Sequence, residues 1–304
     1  MSHDHDRYAR QMILPQVGAL GQARLQGAHV VVVGAGGLGS TAIPALAGAG
    51  VGRLTILDAD VVEESNLHRQ PLYIMHDLGQ PKAQVAAARV RAINPDCQVQ
   101  ARISRAGPQD AALIASADLI LEAADNFATS YALSDLCFAA GKPLISASVL
   151  GMAGFVGGFC GGAPSYRAVF PKPDAAAGTC ATAGVLGPAV AVLGAMQAQM
   201  ALAVLLEMTP SPLGRMVTLD LQRWHFGGFG FRGAEEIAGF SFVTAPLLTD
   251  TLIDLRLTQP DLASLTLPQG RIVLACKTGL RAWRAAEILS GRGAEEIVLM
   301  ADGQ

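Results

Sequence analysis

A glycine-rich loop between a predicted strand and a predicted helix constrains this sequence more than any other feature. The apolar, β-branched run at residues 28–33 is typical of a buried strand in a parallel sheet, and Gly34, Gly36 and Gly39 follow it at once. These glycines permit a tight turn, a close approach of the backbone to phosphate and close helix–strand packing. The alanine-rich segment 40–49 predicts a helix whose N-terminal amides would face an anion. The unit therefore predicts a nucleotide site.

The segment after this helix completes a strand–loop–helix–strand unit. Residues 53–58 predict a second strand that ends in Asp58, nineteen residues after Gly39. A carboxylate at that position can hold the hydroxyl groups of a ribose. The glycine pattern alone does not separate NAD from ATP, so an NAD(P)-dependent oxidoreductase stays open at this point.

Helical and strand patterns continue to alternate after residue 58. Such alternation predicts the α/β class, with a Rossmann-like, doubly wound and mainly parallel sheet. The glycine- and phenylalanine-rich segment 227–240 predicts a loop and a boundary, so residues 1–235 would form one domain and residues 236–304 a small C-terminal α/β unit. The predicted helices lie at 82–93, 109–115, 129–140 and 281–289, and the later strands at 98–103, 119–122, 143–147, 215–221, 251–255 and 272–275.

Composition narrows the classes of function. The net charge of -3 and the pI near 6.1 give no electrostatic case for binding nucleic acid. Residues 181–206 carry no charge and are long enough to span a bilayer, but their glycines and glutamines and the lack of flanking basic clusters predict a buried helix that begins near Pro188. Five cysteines, an odd number without a secretory leader, predict a cytoplasmic protein with reduced thiols.

Several polar motifs surround and follow the glycine loop in a fixed order. In that order the sequence reads Arg7-Tyr-Ala-Arg10-Gln, Asp58-Ala-Asp60, Ser65-Asn66-Leu-His-Arg69-Gln70, Gly79-Gln-Pro-Lys82 and Ala124-Asp125-Asn126. Over about residues 7–225 this set resembles the ThiF/MoeB branch of the ubiquitin-activating enzyme superfamily. The resemblance implies a homodimeric adenylyltransferase that uses ATP and Mg²⁺. Its substrate would be the C-terminal glycine of a small ubiquitin-like sulfur-carrier protein ending in Gly-Gly, which it prepares for thiocarboxylate formation in thiamine or molybdopterin biosynthesis.

The same resemblance implies roles for individual residues. Arg69 and Lys82 would bind the phosphates and stabilise the transition state, since such transfers rely on positioning and charge neutralisation. Asp125 would hold Mg²⁺, a hard ion suited to carboxylate and phosphate oxygens, and Arg10 would reach the ATP of the other subunit. The implied ATP-binding residues are Gly34, Gly36, Gly39, Asp58, Asn66 and Gln70.

The sequence departs from this family at the expected zinc site. Relatives usually carry two C-x-x-C pairs, and the first would fall at Ser165 and Ala168 and the second near residues 230–240, where no cysteine occurs. Because tetrahedral zinc needs four Cys or His ligands, no zinc is expected. We expect packing around phenylalanines to take its place, at Phe159, Phe170, Phe226 and Phe229.

Two cysteines are candidates for a reactive thiol. Cys180 matches a position at which some relatives join the carrier covalently. Cys276 opens the sequence Cys-Lys-Thr-Gly-Leu-Arg281, which resembles the active loop of a rhodanese (sulfurtransferase) domain. Backbone amides in such a loop would surround the sulfur and favour a thiolate able to hold a persulfide. The unit is shorter than a usual rhodanese domain, so sulfur transfer and a degenerate docking or stabilising module both stay open.

Three alternatives to carrier adenylation also stay open. An NAD(P)-dependent oxidoreductase gives no joint role to Arg69, Lys82 and Asp125. A tRNA-activating relative would share the fold and the chemistry, but an acidic chain disfavours it. A non-catalytic scaffold would bind the carrier without turning over ATP. No residue pattern indicates which carrier is used or which sulfur donor serves it.

Overall fold

The computed structural model describes residues 4–173, 184–257 and 260–301. Two short helices open the chain, and a strand–helix alternation follows them to residue 150. The elements are α1 (Asp4–Met12), α2 (Gly18–Gly27), β1 (His29–Val33), α3 (Gly37–Ala49), β2 (Arg53–Leu57), α4 (Lys82–Ile93), β3 (Gln98–Arg102), α5 (Ala111–Ser116), β4 (Leu119–Glu122), α6 (Phe127–Ala139) and β5 (Pro143–Leu150).

These strands form a parallel sheet in the order β3-β2-β1-β4-β5. Alternate side chains of β1 enter different cores, because successive residues of a strand point to opposite faces. Val30 and Val32 pack with α3 and α4, whereas Val31 and Val33 pack with residues of α5 and α6. The predicted doubly wound α/β sheet is therefore confirmed.

Three antiparallel strands extend the sheet beyond β5. They are β6 (Ala153–Cys160), β7 (Arg215–Asp220) and β8 (His225–Gly230), and β8 forms the edge. The predicted loop at 227–240 is wrong for its first four residues, which belong to β8. The reason is close packing: a Cβ at Gly228 would lie 2.3 Å from the carbonyl oxygen of Met216 on β7. In a sequence, a glycine can therefore indicate a strand whose backbone lies close to its neighbour, as well as a turn.

Between β6 and β7 the described residues form two helices, α7 (Tyr166–Val169) and α8 (Gly187–Leu205). The predicted start of the long apolar helix near Pro188 is confirmed. Among the described residues, α8 is the one helix whose length and composition would allow it to cross a membrane. It packs against α3, β4, β5 and β6, and a Cβ at Gly194 would lie 2.6 Å from the Leu38 carbonyl oxygen. It is therefore a core helix of this fold.

A second, wholly parallel sheet follows in the order β10-β11-β12-β9. Its core is continuous with one helix of the first sheet, because Ala128 and Tyr131 of α6 pack with Trp283 and Leu274. The second unit therefore packs against α6. Its elements are β9 (Ser241–Phe242), β10 (Thr251–Asp254), β11 (Ile272–Cys276), α9 (Leu280–Gly291) and β12 (Ile297–Ala301).

The expected aromatic packing near residues 165–168 is partly right. Phe159 is fully buried and stacks on Phe231 with ring centroids 5.1 Å apart, and Phe170 stacks on Phe155 at the same distance. Phe229 is 51% exposed on the edge strand β8, but its ring lies edge-on to Phe231 with centroids 6.3 Å apart. The expectation is wrong for Phe226, which is 60% exposed because an edge strand leaves side chains open to solvent.

Candidate nucleotide site

The site lies at the carboxyl edge of the parallel strands, between β1 and β4. The connections from these neighbouring strands run to opposite faces of the sheet, which leaves a crevice where α/β proteins bind ligands. The glycine loop follows β1, Asp58 follows β2, and Asp125 follows β4. Three of the predicted site segments therefore meet at one edge.

Glycine is needed at the three loop positions for different structural reasons. Gly34 has φ +95°, and a Cβ there would lie 2.5 Å from the Ala123 carbonyl oxygen. A Cβ at Gly39 would lie 2.1 Å from the Gly34 carbonyl oxygen. At Gly36 the only heavy atom within 4 Å of such a Cβ, among the described residues, is Nε2 of Gln70 at 3.6 Å. Gly34 and Gly39 thus allow packing, and Gly36 leaves room for a ligand.

Asp58 is bound to the glycine loop by its carboxylate. Its Oδ2 accepts a hydrogen bond from the Ala35 amide at 2.7 Å, and Oδ1 accepts one from the Asp60 amide at 2.8 Å. Burial raises the pKa of the Asp58 carboxyl, and the two amides act in the opposite direction. The carboxylate therefore fixes the loop and keeps lone pairs for a ribose.

Lys82 places a buried ammonium group beside the same loop. The residue is only 5% exposed, at the first position of α4. Its Nζ lies 3.3 Å from Oδ2 of Asp60, whose side chain is 59% exposed. The Tyr73 hydroxyl donates to the Ala35 carbonyl oxygen at 2.6 Å and also reaches the Lys82 carbonyl oxygen at 3.5 Å, which ties the helix start to the glycine loop. A buried cation with one half-exposed partner suits an anionic ligand.

The segment Ser65–Gln70 covers the glycine loop from another side. Nε2 of Gln70 donates to Oδ1 of Asn66 at 2.9 Å, and both residues are buried. Oε1 of Gln70 is buried without a hydrogen-bond partner in the described part of the chain. Arg69 is half-buried and donates to the Ser65 carbonyl oxygen at 3.1 Å. An orphaned acceptor beside an open glycine fits a bound ligand better than an empty crevice.

Asp125 completes the edge as an exposed carboxylate. It makes no hydrogen bond or ion pair to any residue within 4–173, 184–257 and 260–301. The loop that carries it is held by Glu122, whose buried Oε1 accepts from the Ala124 amide at 3.0 Å and whose Oε2 accepts from the Ser146 hydroxyl at 2.5 Å. Burial raises the pKa of Glu122 to about 7, against these hydrogen bonds.

Two supporting residues of this loop were not predicted from the sequence. One is Glu122. The other is Gln197 on α8, which donates through Nε2 to the Glu122 carbonyl oxygen and, at 3.1 Å, to the Ile145 carbonyl oxygen. The available signals were a carboxylate at the end of a fully apolar strand and a glutamine inside an apolar helix, since buried polar groups need partners.

Arg10 lies away from this cluster in its own chain. Helix α1 is attached through Arg7 to the Ile93 carbonyl oxygen at 2.7 Å and through Gln11 to the Ala49 carbonyl oxygen at 2.7 Å. These are the C-terminal ends of α4 and α3, whereas the glycine loop and Lys82 lie at their N-terminal ends. Thirteen residues of α3 span about 20 Å. The structure therefore does not bring Arg10 to the site of the same chain.

The structure describes one of the two candidate thiols. Cys180 lies outside the described residues. Cys276 is 1% exposed, and its Sγ accepts hydrogen bonds from the amides of Gly279 at 3.1 Å and Ala282 at 3.3 Å. The expected cradle of amides around this sulfur is present.

Hydrogen bonds and an ion pair hold the segments at which the sequence comparison with the family would place zinc ligands. The amide and hydroxyl of Ser165 donate to Glu236 at 2.8 and 2.5 Å. The buried Arg167 binds the Asp135 carboxylate through two nitrogens, at 2.6 and 2.8 Å, and the Phe240 carbonyl oxygen at 2.9 Å. In the described part of the chain, no three or more His, Cys, Asp or Glu side chains are grouped so that they could hold a metal ion. The absence of zinc stays a prediction.

These features define a class: an α/β nucleotide-binding protein whose site lies at the switch point of a doubly wound sheet. A sequence model described as the ThiF family matches residues 8–232. The chain belongs to the ThiF family, as the polar motifs predicted. The match ends before the second sheet, so the rhodanese-like nature of residues 236–304 stays a prediction.

Named relatives agree with this family. The sulfur carrier protein adenylyltransferase of Thermus thermophilus is 45% identical over 224 residues, which cover 71% of this chain and 83% of that protein. The SAMP-activating enzyme E1 of Haloferax volcanii is 40% identical over 237 residues, covering 75% and 85%. A crystal structure of E. coli MccB with ATP has a TM-score of 0.64 at 21% identity, covering 75% of this chain and 72% of that one, and shares the fold.

Proposed function

We propose that this protein uses ATP to adenylate the C-terminal glycine of a ubiquitin-like sulfur-carrier protein. The observation that carries the proposal is the buried Lys82 ammonium beside an open, glycine-lined crevice, with Arg69 on the neighbouring segment. The names of the Thermus and Haloferax relatives support the class of substrate. The product would serve thiocarboxylate formation, in either the thiamine or the molybdopterin pathway.

The chemistry needs charge neutralisation more than proton transfer. A terminal carboxylate has a pKa near 3.5, so at neutral pH it is already ionised. One of its oxygens attacks the α-phosphorus of ATP, and the bond from that phosphorus to the bridging oxygen of pyrophosphate breaks. Lys82 and Arg69 offset the negative charge on the transferring group and on the leaving pyrophosphate. Asp58 would hold the ribose and thereby orient the α-phosphate.

Mg²⁺ belongs to this proposal as the partner of Asp125. The residues fit such an ion, because Mg²⁺ in nucleotide sites uses one or two carboxylates together with phosphate oxygens and waters. Asp125 offers one exposed carboxylate, which neither a hydrogen bond nor an ion pair to the described residues engages. When bound, the ion would neutralise phosphate charge.

The proposal also includes a homodimer. Arg10 is exposed on α1, at the far end of α3 from its own glycine loop. A contribution of Arg10 to ATP binding would therefore come from a second copy of the chain. Such a shared site makes both subunits necessary for activity.

The direct test is to incubate the protein with Mg·ATP and each candidate carrier and to measure the intact mass of the carrier. We expect a carrier that gains one AMP, and a carrier lacking its terminal glycine that gains none. Arg91→Ala should keep this activity, because Arg91 is exposed in the last turn of α4, away from Lys82. Failure of all carriers to form the adduct, with ATP bound, would reject the proposal in favour of a scaffold.

A further inference from the structure

The loop that follows β11, residues 276–281, is called the thiol loop because it begins with Cys276. It packs against the first turn of α6, in the other unit of the molecule. The Thr278 carbonyl oxygen accepts a hydrogen bond from the Ala128 amide at 3.3 Å. The same amide also donates to Oδ1 of Asn126, the N-cap of α6, at 2.9 Å. The thiol loop therefore takes part in capping this helix.

Gly279 makes this contact close. Its φ is +86°, and a Cβ at this position would lie 2.8 Å from Cβ of Ala128 and 3.3 Å from Cδ1 of Phe127. A side chain at residue 279 would thus push the loop from the helix. Aromatic packing surrounds the contact, because Phe127 lies edge-on to Trp283 with ring centroids 5.8 Å apart. Apolar side chains line the contact, and its closeness depends on one glycine.

The contact lies beside the core that buries Cys276. The sulfur accepts hydrogen bonds from the Gly279 amide of the thiol loop and from the Ala282 amide in the first turn of α9, and the residue is 1% exposed. It belongs to the core cluster that also contains Ala128 and Tyr131 of α6. Because α6 completes the core that buries Cys276, separation of the thiol loop from α6 should expose the sulfur.

The same contact bears on the nucleotide site. Asp125 lies two residues before Phe127, in the short connection between β4 and α6. Glu122 holds this connection at one end, through the Ala124 amide. The thiol loop holds its other end, through the first turn of α6. The position of the Asp125 carboxylate therefore depends on both contacts.

We propose that docking of the thiol loop on α6 positions Asp125, so that binding of the nucleotide with its metal and closure over Cys276 are linked. Gly279 is the positioning residue of this link. The inference rests on the proposed function, because it assigns the metal of Mg·ATP to Asp125. Linkage is reciprocal: if docking strengthens binding of Mg·ATP, then Mg·ATP must strengthen docking by the same factor.

The test uses the accessibility of Cys276 as its readout. The full chain is treated with iodoacetamide, with and without saturating Mg·ATP, and alkylation of each cysteine is followed by mass spectrometry of its peptide. We expect Mg·ATP to slow alkylation of Cys276 by about fivefold or more, a typical coupling between sites. Cys137 is the internal reference, because it is fully buried in the core that Val31 and Val33 of β1 share with α5 and α6, and its alkylation reports global opening. Protection of Cys276 must exceed protection of Cys137.

Gly279→Ala and Gly270→Ala form a matched pair of variants. Both glycines have positive φ in the second unit, +86° and +81°, but Gly270 has no described heavy atom within 4 Å of a Cβ. Gly279→Ala should speed alkylation of Cys276 and weaken binding of Mg·ATP by no more than the factor by which Mg·ATP protects Cys276, whereas Gly270→Ala should change neither. If Gly279→Ala does not fold, the wild-type protection experiment decides alone.

One result overturns the inference without touching the proposed function. If wild-type protein binds Mg·ATP and adenylates its carrier while Cys276 and Cys137 are protected equally, the thiol loop is not linked to the nucleotide site. If no carrier is adenylated but Mg·ATP still protects Cys276 selectively, the link stands and the proposed function fails.

Discussion

Gly34 shows how one residue without a side chain connects two loops of the nucleotide site. Its φ of +95° disfavours any Cβ, and a Cβ would also strike the Ala123 carbonyl oxygen. Gly34→Ala should lower the free energy of unfolding by at least about 1–2 kcal/mol from backbone strain and reduce binding of ATP. Gly48→Ala is the control, because Gly48 lies in α3 with open space around it. Urea unfolding of both variants measures the difference, and equal stabilities would contradict this role.

Glu122 makes stability depend on pH. Burial raises its pKa from 4.5 to about 7, so the folded state holds a proton that the unfolded state releases. Its contribution to stability therefore decreases as the pH rises from about 4.5 to about 7. Glu122→Gln keeps one acceptor for the Ala124 amide and gains a donor for Ser146. Relative to the wild type, this variant should gain on the order of 3 kcal/mol between pH 5 and pH 8.

Denaturant unfolding across this pH range measures the effect of Glu122. The Glu122→Gln variant should show a flatter pH profile of the unfolding free energy than the wild-type protein. Parallel profiles would mean that Glu122 remains ionised in the folded protein throughout the range.

Residue positions that contact each other across the fold were the least predictable from the sequence. Gly34 and Asp58 are predicted because the same short unit contains both, and their spacing reflects one local geometry. Glu122 and Gln197 meet only when α8 packs on the sheet, 75 residues apart along the chain. Arg10 was assigned to a site by resemblance, but only the packing of α1 shows which end of the sheet it occupies.

At the scale of elements, helix α7 depends on an ion pair whose arginine is buried and whose carboxylate is partly exposed. Arg167 is buried beneath Tyr131, with its guanidinium carbon 4.9 Å from the ring centroid, and it pairs with Asp135 on α6. Asp135→Ala leaves this charge without its carboxylate, so the free energy of unfolding should fall by about 3 kcal/mol. Glu287→Ala is a matched control, because both carboxylates are similarly exposed (38% and 39%) but its partner Lys172 is 73% exposed.

Thermal or urea unfolding compares these two carboxylate variants. The control should lose less than about 1 kcal/mol, as exposed pairs do. Equal losses in Asp135→Ala and Glu287→Ala would show that the Arg167 pair does not hold α7 in place.

Element type followed from periodicity wherever the element had a long apolar pattern, and failed at the glycine-rich strand β8. Helix α4 has its predicted bounds because Asn94 and Pro95 end the pattern. Helix α6 begins two residues before the predicted start, because Asn126 caps it. Strand β8 was predicted as a loop, because the glycines that fit it against β7 resemble turn residues in the sequence. Packing against a neighbour decides such cases.

At the scale of the whole molecule, the shared site predicts complementation between inactive subunits. Arg10→Ala and Lys82→Ala should each abolish adenylation in a homodimer. A mixed dimer contains one subunit of each variant. Because Arg10 would act in the partner's site and Lys82 in its own, both substitutions affect the same site and the other site is unaltered. After subunit exchange of equal amounts, about a quarter of the wild-type rate should return. A mixture as inactive as its components would mean that Arg10 does not enter the partner's site, or that the protein does not form this dimer.

We infer that the adenylyl group of ATP is transferred to a carrier in the crevice lined by Gly34. ATP–pyrophosphate exchange, measured with purified protein, Mg²⁺ and each candidate carrier, tests it most directly. We expect exchange that requires one carrier, falls by about 10²-fold or more in Arg69→Ala and Lys82→Ala, and persists in Arg91→Ala. Exchange that is absent with every carrier, or that is unchanged in the Arg69 and Lys82 variants, would contradict it.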